Sequence, residues 1–210
     1  MAISAALRSR GITMDDNRKR AVIETMELGA HLNDRLDGDP HQPSDLRKCI
    51  STFSRTFQRD CICNYIKRLR FLERSRPGPD ADIHSVKTYR EDVNHVSLAT
   101  LWAIASQRPL NMAEKEIRQE TDLFILFRIV MITQIIDDLL DIKKDRHRGL
   151  PSFATAVGTS SSALRSILNS YRHPAPMARD QHFCHHLLLH LAAKTASALI
   201  TCRRATGWNG

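Results

Sequence analysis

A chain of 210 residues suits one domain, or one domain with an appendage, and can bury a substantial core. Its 42% hydrophobic and 26% charged residues read as soluble and globular and exclude a disordered or fibrous chain. A formal charge of +8 suits an anionic partner, whether phosphate, nucleic acid or an acidic membrane face, although surplus arginine also serves simply as a solvated surface.

With only 8 Gly and 8 Pro, the composition leans toward helix. The opening residues, Met1 to Arg8, lack a charged region followed by a long apolar one, so no signal peptide is expected. A first helix is predicted from Asp15-Asp16, where acids favour a helix start, to Gly38. It carries Val22, Ile23, Met26, Leu28, Ala30 and Leu32. A second opens at Ser44 or Asp45 and runs through Phe57, continuing after a break to Phe71-Leu72. The cysteines Cys49, Cys61, Cys63, Cys184 and Cys202 are odd in number and lack zinc spacing, which fits reduced thiols in the cytoplasm.

Ser75 to Asp80, with Pro77, Gly78 and Pro79, reads as a loop. A helix from about Ser85 to Ser106 follows, broken by Pro109. A long helix is then predicted from Ala113 to Lys144, stopped by Gly149 and Pro151. Its stretch Leu123 to Ile136 is apolar on nearly all sides, yet it falls short of the ~20 residues of a membrane span. Such a helix belongs at the centre of a bundle. No segment alternates with period two, so the chain is read as all-α. Thr159 to Ser162 forms a polar hinge, which divides a core, residues 1–158, from a helical tail, residues 159–210. Within the tail, Gln181 to Ile200 reads as an amphipathic helix with Phe183, Leu187, Leu191 and Leu199 on its apolar side.

Two acidic runs stand out. In Gln134 to Asp141, Asp137 and Asp141 are four apart and share a helical face, with Asp138 about 100° around. Carboxylates so placed repel one another and lose hydration at the end of an apolar helix. Mg²⁺ resolves that conflict, because it takes carboxylate oxygens and keeps other positions for water and phosphates. A helix surfacing at Asp137, its acids solvated and paired with Lys143 and Lys144, is the alternative. The earlier run, Asn33 to Asp39, also closes an apolar helix, with Asn33 and Asp37 four apart and Asp34 three before Asp37.

The string Gln134 to Asp141, followed by basic residues and Gly149-Leu150-Pro151, resembles the second aspartate-rich motif of trans-prenyltransferases, Q-x-x-D-D-x-x-D. Its Gly-Leu-Pro ending is similar to squalene/phytoene synthases, and Asn33 to Asp39 resembles a relaxed first motif, with Asn33 where Asp is commonest. The resemblance to this isoprenoid-synthase superfamily, which includes class I terpene synthases, covers roughly Asp15 to Val157. It implies a helical bundle around a central apolar cavity and Mg²⁺ held by Asn33, Asp34, Asp37, Asp137, Asp138 and Asp141. The substrate it implies is an isoprenoid diphosphate, ionised so that its prenyl group is transferred or condensed. A terpene cyclase of the same fold, or a catalytically degenerate helical remnant with a binding role, is the alternative.

Basic side chains would neutralise the remaining diphosphate charge. Lys143, Lys144, Arg146 and Arg148 follow the second motif, and Lys87-Thr88 resembles a Lys-Thr pair near substrate in prenyltransferases. Lys87, Arg90, Lys144 and Arg148 are the candidate diphosphate contacts. Arg90 could equally be a surface cation paired with Glu91 or Asp92. His182, His186 and His190 share one helical face but lack Cys or acid partners, so a solvated face is preferred to a metal site. The basic run Lys67 to Arg76 has one ring, Phe71, which argues against nucleic acid. Contact with a membrane surface and a homodimer are left open.

Overall fold

Helix accounts for every regular element among the described residues, and no strand occurs among them. The computed structural model describes residues 2–8, 10–36, 50–51, 53, 55–158, 160–172 and 183–205. In chain order the helices are α1 (Ala2–Arg8), α2 (Asp16–Leu36), α3 (Thr56–Arg74), α4 (Ile83–Ser106) and α5 (Leu110–Gln119). They continue with α6 (Thr121–Leu140), α7 (Ile142–Arg148), α8 (Phe153–Ala156), α9 (Ser161–Arg172) and α10 (Phe183–Ala205). The all-α class read from the composition is therefore the class observed.

Local chemistry explains several boundaries. The Asp15 carboxylate accepts from the Arg18 backbone N–H at 2.8 Å, capping α2 where acids were expected to start it. Asp82 caps α4 in the same way, accepting from the His84 and Ser85 backbones at 2.8 and 3.0 Å and from the Ser85 hydroxyl at 2.7 Å. The expected opening at Ser44 or Asp45 lies outside the described residues.

The single helix expected from Ala113 to Lys144 is three helices. Glu120 takes an extended backbone (φ −89°, ψ 125°) and separates α5 from α6. The polar run Arg118 to Asp122 holds no apolar residue to favour continuation, and it ends in Thr121-Asp122, which suit a new start. Asp141 leaves helical geometry at φ −95°, ψ 10° and separates α6 from α7. Hydrogen bonds from Asp141 N to Asp137 O and from Asp145 N to Asp141 O, each 2.9 Å, limit this break to one residue.

The chain divides into two compact units, Met1–Ser75 with His95–Glu120, and Arg76–Asn94 with Thr121–Gly210. This differs from a division at Gly158, which falls inside the second unit. In the first unit Leu28, Leu32, Ile62, Tyr65, Trp102 and Ile117 are buried. Trp102 donates its indole N–H to Glu116 at 2.6 Å, so its polar edge is satisfied inside the core.

In the second unit α6 packs against α8, α9 and α10. Its Ile125, Met131, Ile132, Ile135 and Leu139 are buried with Leu164 and Leu168 of α9 and Leu189, Ala193, Ala196 and Ile200 of α10. An apolar helix needs neighbours on several sides, and here the tail helices supply them. The inner side of α10 is not the one expected, since Leu187 and Leu191 face outward at 46% and 51% exposure.

The turn after α7 depends on Gly149, whose φ of 63° is left-handed. Its N–H bonds back to Arg146 O at 3.3 Å and Leu150 N–H reaches Asp145 O at 2.8 Å, closing the helix. Gly149→Ala is expected to destabilise the protein by about 1 kcal/mol through backbone strain, read as a lower urea midpoint.

Candidate functional site

The second acidic run spans the end of α6, and its three aspartates occupy three different environments. Asp138 points into the second unit and is 2% exposed. Its Oδ1 accepts from Gln134 Nε2 at 2.7 Å and from an Arg90 NH2 group at 3.2 Å, and its Oδ2 accepts from the Phe153 backbone N–H at 2.6 Å. The same Arg90 nitrogen donates to the Pro151 carbonyl at 2.9 Å. One carboxylate thus joins α4, α6 and the start of α8.

The sequence produces this clasp locally. Gln134 and Asp138 are four apart on α6, so they meet on one face. Gly149 turns the chain back toward Pro151, and Ser152 caps α8 by accepting from Thr155 N at 3.1 Å, which leaves the Phe153 N–H free for Asp138. Burial raises the Asp138 carboxyl to about 6, against the opposing pull of Arg90, the Phe153 N–H and Gln134. Desolvation outweighs the ion pair, as is common for buried charges.

Asp137 and Asp141 lie one turn apart on the outer side. Asp137 is exposed, while Asp141 is about half-exposed and meets Lys144 Nζ at 3.6 Å, as the solvated alternative expected of its lysine. The Asp137 carboxyl is held above its usual range by desolvation and then by the Asp141 charge, with Arg90 and Lys144 pulling the other way. Asp137, with the Asp141 charge one turn away raising its proton affinity, forms with that neighbour a donor pair suited to a hard cation. Asp138, 2% exposed and engaged by three donors, is set apart from that outer pair as it stands. Among the described residues no three His, Cys, Asp or Glu side chains gather as a self-sufficient metal site.

The other candidates are dispersed. Arg90 pairs with Asp138, not with Glu91 or Asp92. Lys87 lies 3.6 Å from Glu91 and over the Tyr171 ring at 5.7 Å. Tyr171 donates its hydroxyl to Glu91 at 2.7 Å, and burial followed by Glu91 pushes that phenol well above its usual range. Lys87 therefore belongs to a contact between α4 and α9. Arg148 is exposed in the last turn of α7. Asn33 is exposed on α2, Asp34 stands in the last turn of α2, and Asp37 and Asp39 lie outside the described residues. His190 is exposed, and His182 lies outside the described residues.

Three roles were not foreseen in the sequence: Gln134 and the Phe153 N–H as donors to Asp138, and Glu91 as acceptor for Tyr171. Only Gln134 had a legible signal, its four-residue spacing from Asp138. No family model, no curated protein and no solved structure matches the chain.

Proposed function

We propose that the chain acts on an isoprenoid diphosphate with Mg²⁺, transferring or condensing the prenyl group, within a bundle of the isoprenoid-synthase type. The observation that carries this reading is the Asp137–Asp141 pair, two mutually repelling carboxylates one turn apart at the end of an apolar helix. Mg²⁺ commonly takes one or two carboxylates and completes its shell with water and substrate phosphate oxygens. Asp137 and Asp141 are the ligands assigned, and Asn33, Asp34 and Asp37 remain as ligands supplied by the resemblance alone. When bound, the metal would neutralise the diphosphate leaving group. Lys144, 3.6 Å from Asp141, supplies a basic side chain beside the pair. Asp138 and Arg90 hold the α6 end in place and take no part in coordination.

The test is Mg²⁺-dependent diphosphate release from geranyl, farnesyl and geranylgeranyl diphosphates. Asp137→Ala is expected to lose about a hundredfold or more in kcat/KM, as a lost ligand in a metal-assisted step removes several kcal/mol. Mg²⁺ should also raise the melting temperature of the unsubstituted chain and not that of Asp137→Ala. Release that is unchanged in Asp137→Ala would sink the assignment. The second reading, a non-catalytic member that binds such a diphosphate, is favoured by the three donors already engaging Asp138. Binding of farnesyl diphosphate with no release would select it.

A further inference from the structure

Helix α10 is apolar on two opposite sides, and only one of them is covered by the fold. Leu189, Ala193, Ala196 and Ile200 are buried in the core of the second unit. Leu187, Leu188 and Leu191 are 46%, 44% and 51% exposed. Their i, i+1, i+4 spacing makes them one outward cluster, and Lys194 and Thr195, both exposed, continue it one turn on. About half of each of these three adjacent leucines is left outside the core, and a clustered apolar patch marks a contact surface.

The charge of this region is one-sided. Helices α9 and α10 contain Arg165, Arg172, Lys194, Arg203 and Arg204 and no Asp or Glu. We propose that the outer face of α10 docks on an anionic lipid surface, with Leu187, Leu188 and Leu191 entering the acyl boundary and Lys194 among the phosphate headgroups.

Two arguments favour lipid over a second copy of the chain. Three half-exposed leucines offer far less than the ~800 Å² per partner that a stable dimer buries. A two-fold contact through α10 would also set Lys194 against like charge, with no acid on either helix to offset it. An anionic bilayer supplies the missing negative charge and accepts leucine side chains without a shaped pocket. A helix lying in the interface with apolar and cationic groups on one face is the established physical mode of such binding. This docking does not depend on turnover of any diphosphate.

The experiment is co-sedimentation of the full chain with vesicles of phosphatidylcholine alone or mixed with phosphatidylglycerol, without Mg²⁺ or substrate. The unsubstituted chain is expected to sediment with the phosphatidylglycerol vesicles and to do so less as salt rises. The pair Leu187→Ser with Leu191→Ser should weaken binding about tenfold or more, and Lys194→Gln about fivefold. The urea midpoint should fall only slightly, because these side chains are about half exposed and outside the buried core. Equal sedimentation with both vesicle types, or equal binding by the serine variant, overturns the proposal. So does a serine variant that loses its fold or dissociates a dimer, since either result would show protein already covering the leucines.

Discussion

Ending the chain at Gly158 is expected to unfold the second unit. The truncated protein should lose much of its helical circular dichroism and bind a hydrophobic dye. The sequence suggests a hinge at Thr159 to Ser162 that divides a core from a helical tail. The packing argues otherwise. Leu164, Ile167, Leu168 and Tyr171 of α9 and Leu189 and Ile200 of α10 are buried beside Ile132 and Ile135 of α6. Burying six such side chains contributes on the order of 10 kcal/mol, comparable to the whole stability of a domain. The removed residues also give up their ordering cost, but that does not rescue α6, whose inner face would be left in water. Two polar contacts would go as well, Tyr171 to Glu91 at 2.7 Å and Arg165 to Thr201 at 3.2 Å. A truncated protein with an unchanged spectrum and a cooperative urea transition would show that α9 and α10 are cover, not core.

The sequence made the helices legible because their signals are local. Asp15 caps α2, Pro77 and Pro79 hold the loop before α4, and Gly149 ends α7. The largely buried position of α6 could also be read, since the stretch from Leu123 to Ile136 has so few polar groups, although Phe124 and Thr133 are exposed. Which neighbours surround α6 was not legible, because period alone does not distinguish the two apolar sides of α10. Leu187 and Leu191 fit an inner face as well as Leu189, Ala193 and Ile200 do, and only packing chooses between them.

The acidic run was legible as a cluster on a helix end, and its tertiary partners were not. Helical spacing pairs Asp137 with Asp141, and the Asp137 carboxyl responds to that neighbour. Spacing cannot reveal that Asp138, one residue away, meets Arg90 from 48 residues earlier and a backbone N–H from 15 residues later. Those partners come from tertiary structure, and they divide one motif between an anchored carboxylate and an outer pair. The partner of Lys87, expected as a diphosphate contact, was illegible for the same reason, since Tyr171 reaches it from a distant helix.

That division makes Asp138→Ala the most damaging single substitution expected outside the apolar core. Removing the carboxylate leaves the Arg90 guanidinium, 16% exposed, without its counter-charge and leaves the Phe153 N–H and Gln134 unsatisfied. Breaking a buried pair in this way costs about 3–5 kcal/mol, measurable by urea unfolding. Replacing both members, Asp138→Leu with Arg90→Met, should recover most of that loss, because two apolar groups leave no buried charge. The pH dependence has a definite sign. The folded protein keeps the Asp138 proton up to about 6, whereas the unfolded chain releases it near 3.8. Between those values the folded state binds more protons, so stability falls as pH rises from about 4 to 6 and the favourable contribution is gone above that window. Asp138→Asn removes the titration and should flatten this part of the profile. Should Asp138→Ala instead unfold like the unsubstituted chain while Mg²⁺-dependent diphosphate release collapses, Asp138 would be a ligand and the clasp incidental.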